Sequence, residues 1–211
     1  VVYIGNNRGL IEFDGSNWNH YSMSEDIVVR SVETEGDSLV FVGAYEEFGY
    51  WKRDPKGRMS YHSLSDTITQ PYFRNDEIWR IIEHQGKIYF QSFSTIYVYD
   101  GREIDVIHPD SAVVLLMKAR DRLFVHIVEK GLYEIKNDEL QLVPGSTVLA
   151  DDEIKVILPF SDNQFLVGAA AEGLYIFDNN QFKPWDIPTA EEIKNAEVNV
   201  GLSLGKLKVI G

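Results

Sequence analysis

Short apolar runs that end on one small or polar residue recur along this chain: Val2-Tyr3-Ile4-Gly5, Val40-Phe41-Val42-Gly43, Ile88-Tyr89-Phe90-Gln91, Leu123-Phe124-Val125-His126, Phe165-Leu166-Val167-Gly168 and Lys208-Val209-Ile210-Gly211. Their end positions lie roughly 35 to 50 residues apart, the spacing of a repeated supersecondary unit. Each of the first five is followed by a run rich in aromatic and branched residues: Gly9-Leu10-Ile11-Glu12-Phe13, Gly49-Tyr50-Trp51-Lys52-Arg53, Thr95-Ile96-Tyr97-Val98-Tyr99, Gly131-Leu132-Tyr133-Glu134-Ile135 and Gly173-Leu174-Tyr175-Ile176-Phe177. Such composition favours extended backbone.

Turn chemistry closes each second run: Asp14-Gly15, Asp54 to Gly57, Asp100-Gly101, Asn137-Asp138 and Asp178 to Asn180. Asp-Gly and Asn-rich pairs supply the positive φ of tight hairpins, so an antiparallel outer strand is predicted after each, as at 59–64, 103–107, 140–143 and 181–185. A further strand is predicted ahead of each apolar run, at 28–33, 78–83, 113–118, 154–159 and 198–204. These lead into the runs through turns such as Glu35-Gly36-Asp37-Ser38 and Gln85-Gly86. The one predicted helix, at 189–196, follows Pro188 and is rich in Ala and Glu.

Four antiparallel strands per unit, many of them apolar on both faces, make the blade of a β-propeller, in which each sheet is sandwiched between neighbours. A β-sandwich or barrel is the alternative, but has no reason to repeat the apolar-run, Gly-Leu and Asp-Gly order. The expected architecture is all-β: a partial ring of about five blades cut from a larger propeller. A partial blade is placed at 1–26, blades at 27–75, 76–110, 111–150 and 151–190, and the start of another at 191–211. Because closed rings avoid unpaired edges, missing blades, or completion by a second copy in a homodimer, are expected.

The 211 residues carry 20 Lys and Arg against 33 Asp and Glu, a formal net charge of -13. That balance repels phosphate backbones and anionic lipid, which argues against nucleic acid as a partner. No stretch approaches the roughly 20 apolar residues of a membrane span, and any membrane attachment is expected through a helix downstream of this segment. Cysteine is absent, which removes disulfides, thiolate metal sites and cysteine nucleophiles from consideration.

The order of apolar strand, Gly, short polar loop, Gly-Leu, aromatic strand and Asp-Gly resembles the regulator-propeller repeat (two-component regulator propeller) of Bacteroidetes-type sensor proteins. Val2 through Gly15 carries it best, and Val167-Gly168 with Gly173 through Asp178 repeats it. Glu46-Glu47-Phe48-Gly49-Tyr50-Trp51 and Tyr89-Phe90-Gln91-Ser92-Phe93-Ser94 are also similar to those sensors, particularly to members with a LuxR-type helix-turn-helix output. Gln91 and His126 depart from the Gly of the pattern, and Ser94-Thr95-Ile96 from Gly-Leu. The resemblance implies a periplasmic sensor domain of an inner-membrane transcriptional regulator or sensor kinase, acting in signal transduction. Two other classes stand beside it: a propeller enzyme acting on polysaccharide, and a protein-interaction scaffold.

No catalytic or metal motif is legible and no cofactor is expected: His20, His62, His84, His108 and His126 are scattered, without His-x-His or His-Glu-x-x-His. The expectation is a binding protein without catalysis, taking a small-molecule or oligosaccharide ligand. Loops between second and third strands, and those joining one blade to the next, share one face of a propeller. That face is expected to collect Asn6, Asn7, Arg8, Tyr45, Glu46, Glu47, Phe48, Ser92, Phe93, Glu129, Lys130 and Glu172, where aromatics beside amides and charges suit a sugar. On the innermost strands Arg30, Arg80 and Lys155 stand eleven or thirteen residues ahead of Gly43, Gln91 and Gly168, with Leu115 in the corresponding place of the remaining blade. They are expected to form a cationic cluster, short of carboxylate partners, that selects an anionic ligand.

Overall fold

The computed structural model describes residues 1–23, 27–36, 38–69, 73–178 and 180–211. Asp37 of the predicted Glu35–Ser38 turn, Asn179 of the predicted 178–180 hairpin and the blade boundary at residue 26 lie outside the described residues. The chain divides into two compact units, Val1–His108 and Pro109–Gly211.

In the first unit, β1 (Val2–Asn6), β2 (Gly9–Phe13) and β3 (Trp18–Tyr21) form a three-stranded antiparallel sheet. Two four-stranded meanders follow: β4 (Ser31–Glu35), β5 (Leu39–Ala44), β6 (Glu47–Arg53) and β7 (Met59–Ser63), then β8 (Arg80–His84), β9 (Lys87–Gln91), β10 (Ile96–Tyr99) and β11 (Ile104–Ile107). The second unit holds two more meanders, β12 (Val113–Ala119), β13 (Arg122–Ile127), β14 (Gly131–Lys136) and β15 (Glu139–Leu142), then β16 (Ile154–Ser161), β17 (Gln164–Ala169), β18 (Gly173–Asp178) and β19 (Gln181–Pro184). Helix α1 (Ala190–Ala196) and the hairpin of β20 (Gly201–Leu204) and β21 (Leu207–Ile210) complete it. The fold is all-β and of the β-propeller type, built from four-stranded antiparallel blades.

Local chemistry makes the hairpins. The carboxylates of Asp14, Asp54 and Asp100 each accept two backbone N–H bonds from their own turns, at 2.7 to 2.9 Å. Those bonds hold all three carboxyls below the usual carboxylate range.

Between blades the core is apolar. Phe41, Phe48 and Ile78 pack with Phe90 and Tyr97 between the second and third sheets, while Phe124, Ile157, Phe165 and Phe177 do so in the second unit. The predicted inner strands start late, at Ser31 and Arg80, for a specific reason. Val29 N–H donates to Asn6 O of the preceding sheet, whereas Arg30 N–H donates to Gly43 O of its own. Ile78 and Trp79 repeat this with Ala44 O and Gln91 O, and Val198 and Asn199 with Ala170 O and Gly211 O. This entry segment stitches one blade to the next before its strand begins.

The same stitch explains the glycine that ends the apolar run. A Cβ on Gly43 would stand 2.4 Å from Cγ2 of Ile78, and one on Gly168 would stand 2.7 Å from Cγ1 of Val198. The next blade's entry residue occupies the space a side chain would need. At His126, where the pattern departs from Gly, the ring itself takes part, with Nδ1 accepting from Ile154 N–H at 3.3 Å.

Candidate ligand site

Three loops of the first unit converge at one place. Ala44–Glu47 is the turn from β5 to β6, residues 74–79 lead into β8, and residues 92–95 join β9 to β10. Tyr45 and Glu77 form an antiparallel β-bridge, and Glu46 N–H donates to Asp76 O at 2.8 Å. Asp76 is buried and accepts from the Ser92 and Ser94 hydroxyls at 2.5 and 2.6 Å, while its other oxygen takes the Glu77 N–H. One carboxylate thus locks two loops together.

On this frame stand three exposed aromatic rings, Tyr45, Trp79 and Phe93, with 49%, 40% and 53% of their surfaces accessible. Trp79 and Phe93 meet at 5.2 Å between centroids with planes tilted by 51°. Arg30 places its guanidinium 5.6 Å from the Trp79 ring centroid and donates from Nε to Glu77 Oε1 at 2.7 Å. The Tyr45 hydroxyl donates to Asn75 Oδ1, and Asn75 N–H donates to Glu46 Oε1. Glu46 and Asn75 both adopt positive φ, 51° and 62°, a conformation non-glycine residues hold only where surrounding contacts enforce it.

Four of the residues expected from sequence, Arg30, Tyr45, Glu46 and Phe93, therefore belong to one cluster. Others do not. Phe48 is fully buried in the core, Ser92 is buried against Asp76, and Glu47 is engaged by the Tyr61 and Ser63 hydroxyls. Asn7 and Arg8 occupy the exposed β1–β2 hairpin, and among the described residues no hydrogen bond or ion pair links their side chains to the cluster. Glu172 is paired with Lys194 in the second unit.

The cationic trio also needs correction. Arg30 is paired with Glu77, and Lys155, in the second unit, lies 2.6 Å from Glu153, so neither lacks a carboxylate partner. Arg80 is exposed, and no carboxylate among the described residues lies within ion-pair distance of it. Lost hydration lowers its guanidinium from the ordinary value and the Glu33 charge opposes that. Nor is Arg80 the equivalent of Arg30. Strand pairing aligns Ser31, Arg80, Leu115 and Val156 opposite Gly43, Gln91, His126 and Gly168. The equivalents of Arg30 are the residues just before these, namely Trp79, Val114 and Lys155. Since successive side chains in a strand leave on opposite faces, Arg80 does not repeat the role of Arg30.

Sequence reading missed Asn75, Asp76, Glu77 and Trp79. They lie in a blade-to-blade connection, a loop class that belongs to the same face, and Trp79 would have emerged had the inner strands been aligned one residue differently. Among the described residues no group of three or more His, Asp and Glu side chains is placed to hold a metal ion.

No protein-family model matches the chain, and no curated protein matches it in sequence. Solved structures do resemble it. The extracellular domain of BT4673 from B. thetaiotaomicron, described as a one-component system, superposes with a TM-score of 0.60 at 13% identity, over 86% of this chain and 25% of that one. Virginiamycin B lyase from Staphylococcus aureus gives 0.65 at 16% identity over 93% of this chain and 66% of its own. The WD40 β-propeller domain of Doa1 gives 0.57 at 12% identity over 83% and 61%. At these identities the likeness is one of fold, and the chain spans a quarter to two thirds of these three structures.

Proposed function

We propose that this chain is a ligand-sensing or signal-transmitting propeller domain of a membrane-spanning transcriptional regulator or sensor kinase. In this reading it works outside the cytoplasm on a carbohydrate-related signal and performs no catalysis of its own. The observation that carries it is the convergence of Tyr45, Trp79 and Phe93 around the Arg30–Glu77 pair on loops locked by Asp76. Exposed aromatic rings beside paired polar groups are the recognition chemistry of a ligand with apolar faces and polar edges. The fold-level likeness to an extracellular domain of a one-component system supports the same assignment, as does the regulator-like repeat. No helix among the described residues is long and apolar enough to cross a membrane.

The test is made in the cell, with the whole gene in its native host. Transcripts are compared between the unaltered strain and one carrying Trp79→Ala during growth on different polysaccharides. The reading expects one polysaccharide response to be lost in the variant while the protein accumulates normally. Identical transcript profiles on every carbon source would refute it.

A further inference from the structure

We infer that the corner formed by Arg30, Glu77, Trp79 and Phe93 binds a neutral saccharide through a pair of vicinal hydroxyls, in place of the anionic ligand that a free cationic cluster would select. The inference rests on the reading of this chain as a ligand-sensing domain. The Nε of Arg30 is held by Glu77 Oε1. Among the described residues no hydrogen bond or ion pair engages the two terminal guanidinium nitrogens or the second oxygen of Glu77. The pair therefore presents donors and an acceptor side by side with its charges balanced.

That arrangement discriminates between ligands. An acidic group approaching Arg30 meets a cation already neutralised and a carboxylate that repels it. A vicinal diol satisfies both halves, one hydroxyl accepting from the guanidinium and the other donating to Glu77. A sugar ring also carries a C–H-rich face, which needs an aromatic wall next to the polar pair. Arg30 lies over Trp79, whereas Phe93, at 53% exposed, leaves an open ring in the same corner. The side-chain accessibility of Arg30, 45%, leaves its outer nitrogens open to a ligand, while Glu77, at 17%, is held in place.

Preorganisation strengthens the assignment. Asp76 fixes both loops through three hydrogen bonds, and the left-handed backbone at Glu46 and Asn75 is held by the bonds between these two residues' neighbourhoods. Little ordering remains to be done when a ligand arrives, so modest contacts suffice for measurable affinity.

The experiment applies the chain to a glycan array carrying neutral tetrasaccharides of glucose, galactose, mannose and xylose together with uronate-containing counterparts. Hits are then titrated by tryptophan fluorescence. At least one neutral saccharide is expected to bind about tenfold more tightly than its uronate counterpart. Phe93→Ala and Arg30→Met should each weaken that binding about tenfold with a melting temperature within about 2 °C of the unaltered protein. Glu77→Gln, which leaves Arg30 without a neutralising charge, should shift preference toward the uronate ligand. A uronate preference in the unaltered protein, an unshifted preference in Glu77→Gln, or silence across the array overturns the inference. A parallel panel of amino acids, nucleosides and short peptides separates the two levels. Binding there that is lost in Phe93→Ala overturns the saccharide assignment and keeps the sensing one, whereas silence on both panels removes both.

Discussion

Nη2 of Arg53 lies 2.5 Å from Oε1 of Glu12, joining β6, the third strand of the second sheet, to β2, the second strand of the first. Glu12 is almost completely buried, and its other oxygen accepts from the Tyr21 hydroxyl at 2.5 Å. The Arg53 guanidinium also reaches the Tyr3 hydroxyl and the Gly57 carbonyl. The second unit uses the equivalent glutamate differently: Glu134 is held by two bonds from Arg122 of its own blade and by Lys136.

Removing one member of the Arg53–Glu12 pair leaves the other buried and uncompensated. Arg53→Ala should cost about 2 to 4 kcal/mol, at the lower side of the range for broken buried pairs because Arg53 is partly exposed. Arg53→Met combined with Glu12→Gln should recover a good part of this. Urea unfolding of the three proteins checks the order, and a double variant no more stable than Arg53→Ala would contradict it.

Acid should lower the protein's stability in two stages. Burial lowers the His126 imidazole below its ordinary 6.5, the nearby Asp152 and Glu153 charges only partly opposing it. The unfolded chain therefore binds the proton first, and the stability this group contributes is present above about pH 6.5 and is lost as pH falls toward its folded-state value. Burial tends to raise Glu12 and Glu134, but hydrogen bonds and charges from Arg53, and from Arg122 and Lys136, outweigh it and leave both below 4.5. Their contribution is present above about pH 4.5 and disappears below it. Melting temperatures measured from pH 8 to pH 3 should show both declines, with the upper one flattened in His126→Gln.

A side chain at Gly43 has nowhere to go, since its Cβ would meet both Ile78 and the Ser31 hydroxyl within 2.6 Å. Gly43→Ala should cost about 1 to 3 kcal/mol through displacement of the entry segment of the next blade. Calorimetry of the variant measures the loss, and an unchanged melting temperature would show that Ile78 can yield.

Asp76 should matter more to local order than to the whole fold. Asp76→Ala removes the acceptor for Ser92, Ser94 and the Glu77 amide, bonds confined to two loops. Hydrogen exchange at residues 75–79 and 92–95 should accelerate about tenfold or more, while the strands of the second unit keep their protection. Uniform acceleration across the chain would instead make Asp76 a global support.

The blade itself was legible in the amino-acid order. Alternation, aromatic runs and Asp-Gly turns act between residues close in sequence, so most strands and helix 190–196 could be read within a residue or two, while the inner strands expected from 28 and 198 begin three residues later, at Ser31 and Gly201. The shared face of Tyr45, Glu46 and Phe93 was legible in outline, because repeat position assigns loops to one face, whereas Arg30 was expected with Arg80 and Lys155 and stands instead beside these loops. Their partners were not legible. Strand register places the equivalent of Arg30 twelve positions ahead of Gln91, at Trp79, whereas the count of eleven that fell on a cation selected Arg80. Phe48, at the start of β6, and Ser92 lie within three residues of Tyr45 and Phe93, and only packing turned the first pair inward and the second outward. Charge pairing was equally hidden, since Glu77 reaches Arg30 across two blades and 47 positions of chain. Sequence determined the repeating unit because its signals are local, whereas the tertiary structure decided the site because neighbouring blades supply its parts at distances set by packing and register.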